Sequence, residues 1–210
     1  MIVNTSTGPL CKSSENLRFS SFLDSILNNC MFISSPGLGN GKLGIAIFLY
    51  NYARAASSKE YEILGDDLIE DVVNGINSSV LCDFEDGLTG IAWGIEYLTR
   101  NGFLDGNTDD ILSEVDVVIK NSQNNSGREQ ELKINDIGFD LYSNARQKGS
   151  SVSLFDLFSF IKNKTLTDDF FKVDRMTDPS NYGLFNGMAG AGLITLYRTF
   201  YKDIYFHAIT

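Results

Sequence analysis

Apolar residues crowd three stretches of this chain so densely that no polar face remains. The fullest runs Gly87-Leu88-Thr89-Gly90-Ile91-Ala92-Trp93-Gly94-Ile95-Glu96-Tyr97-Leu98, with counterparts at Gly41 to Tyr50 and Gly187 to Tyr197. Each opens on Gly-x-x-Gly, continues through a small or aliphatic pair, and ends its apolar run on an aromatic. A helix apolar all round is buried within a larger assembly. Glycine costs about 1 kcal/mol relative to alanine inside a helix, so its recurrence asks for a packing reason. At helical pitch Gly87, Gly90 and Gly94 share one side, which predicts close approach of a neighbouring helix. A fainter copy lies at Ile137 to Tyr142, finishing near Asn144-Ala145-Arg146 as the first copy finishes near Tyr52-Ala53-Arg54. The second glycines, at 44, 90, 138 and 190, are separated by steps of 46, 48 and 52 residues. That period is the length of two helices and two connections, as in helical-hairpin repeats.

The spacers carry the partner helices. Phe19, Phe22, Leu23, Ile26 and Leu27 form an amphipathic stripe, and Tyr61, Leu64, Leu68, Val72, Val73 and Ile76 form a second. Ile111, Leu112, Val115, Val118 and Ile119 make a third, with Thr108 as the expected N-cap ahead of Asp109 and Asp110. Leu154, Phe155, Phe158 and Ile161 follow the break at Gly149-Ser150-Ser151. Each unit reads as a half-polar outer helix followed by a buried, glycine-marked inner helix. No stretch alternates as a strand does. The expected fold class is all-α, a toroid-like α/α repeat of about four hairpins, in one domain over 1–210 with an irregular arm at 1–15.

Charge narrows the partners. Acidic residues number 27 against 17 basic, a formal net charge of −10, and no basic cluster offsets it, so nucleic acid and anionic membrane are disfavoured. No run is long enough for a signal peptide or a membrane span, which makes the cytoplasm the default address. Cys11, Cys30 and Cys82 are an odd number with no C-x-x-C pair, and reduced thiols are the natural reading, with Cys30 and Cys82 packed in the core. His207 is the only histidine and stands near the chain end.

Candidate chemistry gathers at the inner-helix entries. Asp83, Glu85 and Asp86 make the most acidic entry, either a carboxylate cluster at a cavity mouth or a cap (Asp86) with a charge at the positive helix end (Glu85). Asp136 and Asp140 stand four apart on the third inner helix, a unit decayed from the repeat or altered to admit something polar. Tyr182 and Asn186 flank the last entry as pocket-lining candidates, with an N-cap the favoured reading of Asn186. Gly37, Gly39 and Gly41 do not fit the phosphate-loop pattern and read as a tight turn, and Lys42 beside them as a residue that could face the cavity.

With the repeats laid out, the chain resembles the lanthionine synthetase C-like family. The likeness rests on Gly-Leu-Gly-Asn-Gly-Lys-Leu-Gly-Ile-Ala at 37 to 46, Glu-Asp-Gly-Leu-Thr-Gly-Ile-Ala-Trp at 85 to 93, and Tyr-Gly-Leu-Phe-Asn-Gly-Met-Ala-Gly-Ala-Gly-Leu at 182 to 193. The resemblance implies an α/α toroid with glycine-rich loops gathered at one end, an architecture shared with six-hairpin glycosidases. Family cyclases bind catalytic zinc through a Trp-Cys-Tyr-Gly cysteine and a Cys-His-Gly pair, and neither motif occurs in this chain. Zinc needs about three protein ligands and an open position. No metal residue is carried over and no cofactor is expected.

Three readings follow. The first is a shortened relative of the cyclases without zinc catalysis, binding a peptide or a modifying enzyme in peptide maturation. The second is a glycosidase-like enzyme using Asp83, Glu85 or Asp86 with Asp136, Asp140 or Asp178 across a cavity, which requires a carboxylate separation of about 5 to 9.5 Å. The third is a cyclase with an unorthodox metal site. Four hairpins are too few for the family's ring of seven, so an open arc, a tighter bundle or a homodimer that completes the ring are the expected alternatives.

Overall fold

A computed structural model describes residues 23–77, 79–125, 132–147, 149–157, 182–185 and 187–200, with backbone alone at 123–125, 132–137 and 198–200. Every regular element among these residues is helical. Helix α1 covers 23–29 and runs into a 3-10 turn at Cys30–Phe32. Then come α2 (Lys42–Ala56), α3 (Lys59–Gly75), α4 (Leu88–Arg100), α5 (Thr108–Asn125) and α6 (Leu132–Ala145). A helical turn, α7, occupies 154–157, and α8 spans Met188–Phe200. None of these helices is long and apolar enough to cross a membrane.

The division into buried and half-polar helices follows the hydrophobic pattern. Ten residues of α2 and eleven of α4 are buried, whereas α3 buries only Gly65, Leu68 and Val72. Helix α2 packs on α3 and also on α4 and α8, while α4 packs on α5 and α6. The first and last glycine-marked helices therefore touch. Trp93, Tyr50, Phe48, Phe84 and Tyr182 are the largest fully buried side chains, and each aliphatic or aromatic group so buried contributes about 1.5–3 kcal/mol.

The outer stripes are correct in their centres and overextended at their edges. Leu68, Val72, Leu112 and Ile119 are buried, but Val73, Ile111 and Val118 stand 57%, 53% and 47% exposed. An apolar residue one step off the helix stripe points past the neighbouring helix, so counting apolar residues widens the stripe beyond the real contact. At the start of α5 the cap is Asn107, not Thr108: Asn107 Oδ1 accepts from the Asp109 N–H at 3.0 Å. Phe19, Phe22, Phe158 and Ile161 lie outside the described residues.

The recurring glycines have a more specific task than admitting a neighbouring helix. In three copies the second glycine lies against a backbone carbonyl six residues upstream: Gly44 on Leu38 O, Gly90 on Phe84 O, Gly190 on Leu184 O. A Cβ at any of them would sit well inside the 3.0 Å that real Cβ contacts essentially never breach. The entry loop thus folds down onto its own helix. Helices α2 and α4 begin at Gly41 and Gly87 without a side-chain cap, and their first amides are satisfied by that same loop. Lys42 N–H donates to Ser35 O at 2.9 Å and Leu88 N–H to Leu81 O at 2.8 Å, each seven residues back. Only Gly94 behaves as expected, facing the Leu43 side chain of α2. Gly138 differs again, lying against the ring of Phe84, so the third unit packs on its neighbour's loop.

Candidate functional site

Three entry loops meet at Gly39 and Asn40. The backbone of Gly39 uses both polar groups: its N–H donates to Glu85 O at 2.5 Å, and its carbonyl accepts from Phe185 N–H at 2.8 Å. Gly183 presses on the same peptide, and the absence of side chains at 39 and 183 lets the strands of loop approach. The acidic cluster then locks onto Asn40. Asn40 N–H donates to Asp86 Oδ1 at 2.8 Å, while its Nδ2 donates to Asp86 Oδ2 at 3.0 Å and to Glu85 Oε1 at 3.3 Å. Asp83 Oδ1 accepts from the Asp86 N–H at 2.8 Å and holds the turn between them. Beneath the junction Phe84 stacks on Phe185, ring centroids 6.4 Å apart, and meets Trp93 edge-on at 6.1 Å.

The capping reading of Asp86 is corrected by this geometry: the N-cap of α4 is Gly87, and the Asp86 carboxylate is spent on the preceding unit's loop. Of the candidate residues, the fold brings Asp83, Glu85 and Asp86 together, half-buried, at one end of the glycine-marked helices. Asp140 does not join them and is exposed on α6. Tyr182 is buried in the core, 1% exposed, with its carbonyl accepting from Ala189 N–H at 3.2 Å. The side chain of Asp136, and Asp178, Asn186, Cys11 and His207 altogether, lie outside the described residues. Lys42 pairs with Asp71 and ties α2 to α3 rather than facing a cavity.

The latch has a measurable consequence. Substituting Asp86→Ala removes both acceptors of Asn40 on that residue, a loss of about 1–3 kcal/mol because the donors are left partly buried. The amides of Gly39 and Asn40 should then exchange with solvent faster than those in the middle of α2, measured residue by residue in deuterated buffer. Equal acceleration throughout α2 would mean the contact only stabilises globally.

A second polar cluster was hidden in the apolar run. Glu96 on α4 is fully buried, accepting from Arg100 Nε at 2.7 Å and from Arg146 NH1 at 2.5 Å. Arg146 also reaches Asp116 at 2.8 Å and Asp109 at 3.1 Å, so α4, α5 and α6 meet in one ionic network. Burial alone would raise the Asp116 carboxyl, but the hydrogen bonds from Arg146 and Tyr142 outweigh it and hold the group below the ordinary aspartate value. Burial, then Asp116, pushes the Tyr142 hydroxyl up. The signal for this network is in the sequence after all: Arg54, Arg100 and Arg146 stand 46 residues apart, and each reaches beyond its own helix.

The cyclase resemblance implies a zinc ion, and the described side chains do not fit one. Cys30 is buried in the core with Sγ 3.6 Å from Leu27 O, and burial pushes its thiol up, away from the thiolate zinc requires. Cys82 is half-buried at the start of the acidic loop. Among the described residues no group of three His, Cys, Asp or Glu side chains is placed to hold a metal ion. Comparison with protein-family models, with curated proteins and with solved structures returned no match. The functional reading therefore rests on this chain's own residues.

Proposed function

We propose that this chain is a shortened lanthionine synthetase C-like scaffold, its hairpins closed into a tight ring, that binds a peptide or a peptide-modifying partner at the loop end without zinc catalysis. The observation that carries the reading is the junction at Gly39 and Asn40, where three repeat loops converge and hold Asp83, Glu85 and Asp86 half-buried on one face. The contact of α2 with both α4 and α8 supports the closed arrangement. An acidic rim on a protein of net charge −10 suits a cationic segment, drawn by the field toward the Asp83, Glu85 and Asp86 carboxylates.

The test is fluorescence anisotropy with a labelled lysine-rich decapeptide and its glutamate-rich counterpart. Saturable binding of the cationic peptide is expected, weakened about tenfold in an Asp83→Asn, Glu85→Gln variant and absent for the acidic peptide. No saturable binding of either peptide, or equal binding of both, would overturn the assignment. Metal content of the purified chain is the second arm: about one zinc per chain, lost in a Cys30→Ser, Cys82→Ser variant, would restore the cyclase reading instead.

A further inference from the structure

At the opposite end of α2, about 20 Å from the loop junction at 1.5 Å per residue, lies a cleft of ≈ 400 Å³. Its chemistry is set by Arg54. The guanidinium lies 3.5 Å over the ring of Phe103, and its Nη2 donates to Asn101 O at 2.7 Å and Gly102 O at 3.2 Å. Stacking and two carbonyl bonds fix the plane while using one nitrogen, Nη2, so Nε and Nη1 remain as donors on opposite edges. Lys42, Lys59, Arg100 and Arg146 each pair with a carboxylate, whereas Arg54 has none at ion-pair distance among the described residues. In a chain of net charge −10, a fixed cation facing a cleft with no carboxylate at ion-pair distance among the described residues is conspicuous.

The walls complete the picture. Ser57, Ser58 and Lys59 line the same cleft as donors, and the one carboxylate among the lining residues, Glu62, is already engaged by Lys59 Nζ at 2.7 Å. Tyr50 and Phe103 supply an aromatic floor, ring centroids 5.7 Å apart. The Tyr50 hydroxyl donates to Asp66 at 2.6 Å. A volume near 400 Å³ suits a small molecule, and a guanidinium with its Nη1 hydrogens unspent can donate a charge-assisted hydrogen bond to one oxygen of an oxyanion.

We propose that this cleft is a binding site for a small oxyanion, a carboxylate or a phosphate group, with Arg54 as its principal ligand and Lys59 at its rim. The site is separate from the loop end and stands or falls independently of the peptide-binding reading. The probes are benzoate and inorganic phosphate, titrated by isothermal calorimetry and by NMR shifts of the Arg54 side chain and the Ser57 amide, with sodium chloride at matched ionic strength as reference. Saturable binding of at least one probe is expected, at least tenfold weaker in Arg54→Gln and two- to threefold weaker in Lys59→Gln. Tighter benzoate binding would identify a carboxylate ligand packed on the aromatic floor, and tighter phosphate binding a phosphoryl group.

Because Arg54 also holds the end of α4, Arg54→Lys serves as the folding control. It keeps the charge but not the planar guanidinium, and is expected to retain weakened binding. Failure of both probes to saturate on the wild-type chain would overturn the site. So would binding unchanged in a folded Arg54→Gln variant, or shifts reproduced by chloride.

Discussion

Substituting Gly90→Ala is expected to cost this protein about 3 kcal/mol or more, and for a chain of this size to lower the melting temperature by about 6–12 °C. The added methyl would meet the carbonyl carbon of Phe84 at 2.9 Å and its oxygen closer still. Both are backbone atoms, and neither can rotate aside as a long side chain would. Relief requires lifting the 81–87 loop off α4, which strains the Leu88 N–H to Leu81 O bond and the Gly39 N–H to Glu85 O bond together. Helix propensity works the other way, favouring alanine by about 1 kcal/mol, and the steric term wins because it moves a loop on which three units depend. Gly75→Ala is the control. There the nearest atom is a Pro36 side-chain carbon at 3.2 Å, which can give by a few tenths of an ångström, and a change within about 1 kcal/mol is expected. Thermal denaturation followed by circular dichroism reads both. A harmless Gly90→Ala would mean the loop has room that its packing denies.

Substituting Glu96→Gln carries the second large effect, a loss of about 3 kcal/mol, at the low end of the range for breaking a buried ion pair. The carboxylate is fully buried, but Arg146 and Arg100 keep 16% and 26% of their side-chain surface and recover part of their hydration when the partner is gone. Arg146→Gln should cost a similar amount, and the double variant less than the sum, with a coupling of about 1–3 kcal/mol. Additive losses would show that the two side chains act separately.

The same network sets an acid limit. Asp116 is held below its ordinary value, so its folded state binds fewer protons than the unfolded chain. Its contribution is complete above the unfolded value of about 3.9 and is lost as pH falls through the lower folded value. In Arg146→Gln, with the main stabilising donor gone, the folded value moves back toward the unfolded one, so less stability is lost as pH falls. Melting temperatures between pH 2 and 7 would show a shallower acid limb in the variant; limbs of equal slope would place the acid sensitivity elsewhere.

Much of the architecture is legible in local pattern. The three-and-four spacing at Tyr61, Leu64 and Leu68 belongs to a surface helix, and the nearly all-apolar run from Leu88 to Leu98 to a buried one, as each is. Cys30 packs in the core as a small apolar residue. Val73 and Ile111 mislead because apolar character says nothing about which way a residue one position off the stripe points. The candidate site was legible in composition alone: Asp83, Glu85 and Asp86 are visibly an acidic entry, yet Asn40, their common partner, is an unremarkable residue inside a glycine turn.

The sequence by itself determined the helices, their alternation and the recurrence of Gly-x-x-Gly, because each of these is written within one or two turns of chain. Only the tertiary structure decided what the glycines face, which carboxylate meets Asn40, why a glutamate stands inside the most apolar helix, and that α8 lies against α2. The reason is physical. Periodicity fixes the direction in which a side chain leaves its own helix, whereas a hydrogen bond or ion pair needs a partner at about 3 Å, supplied by chain folded back from a distant unit.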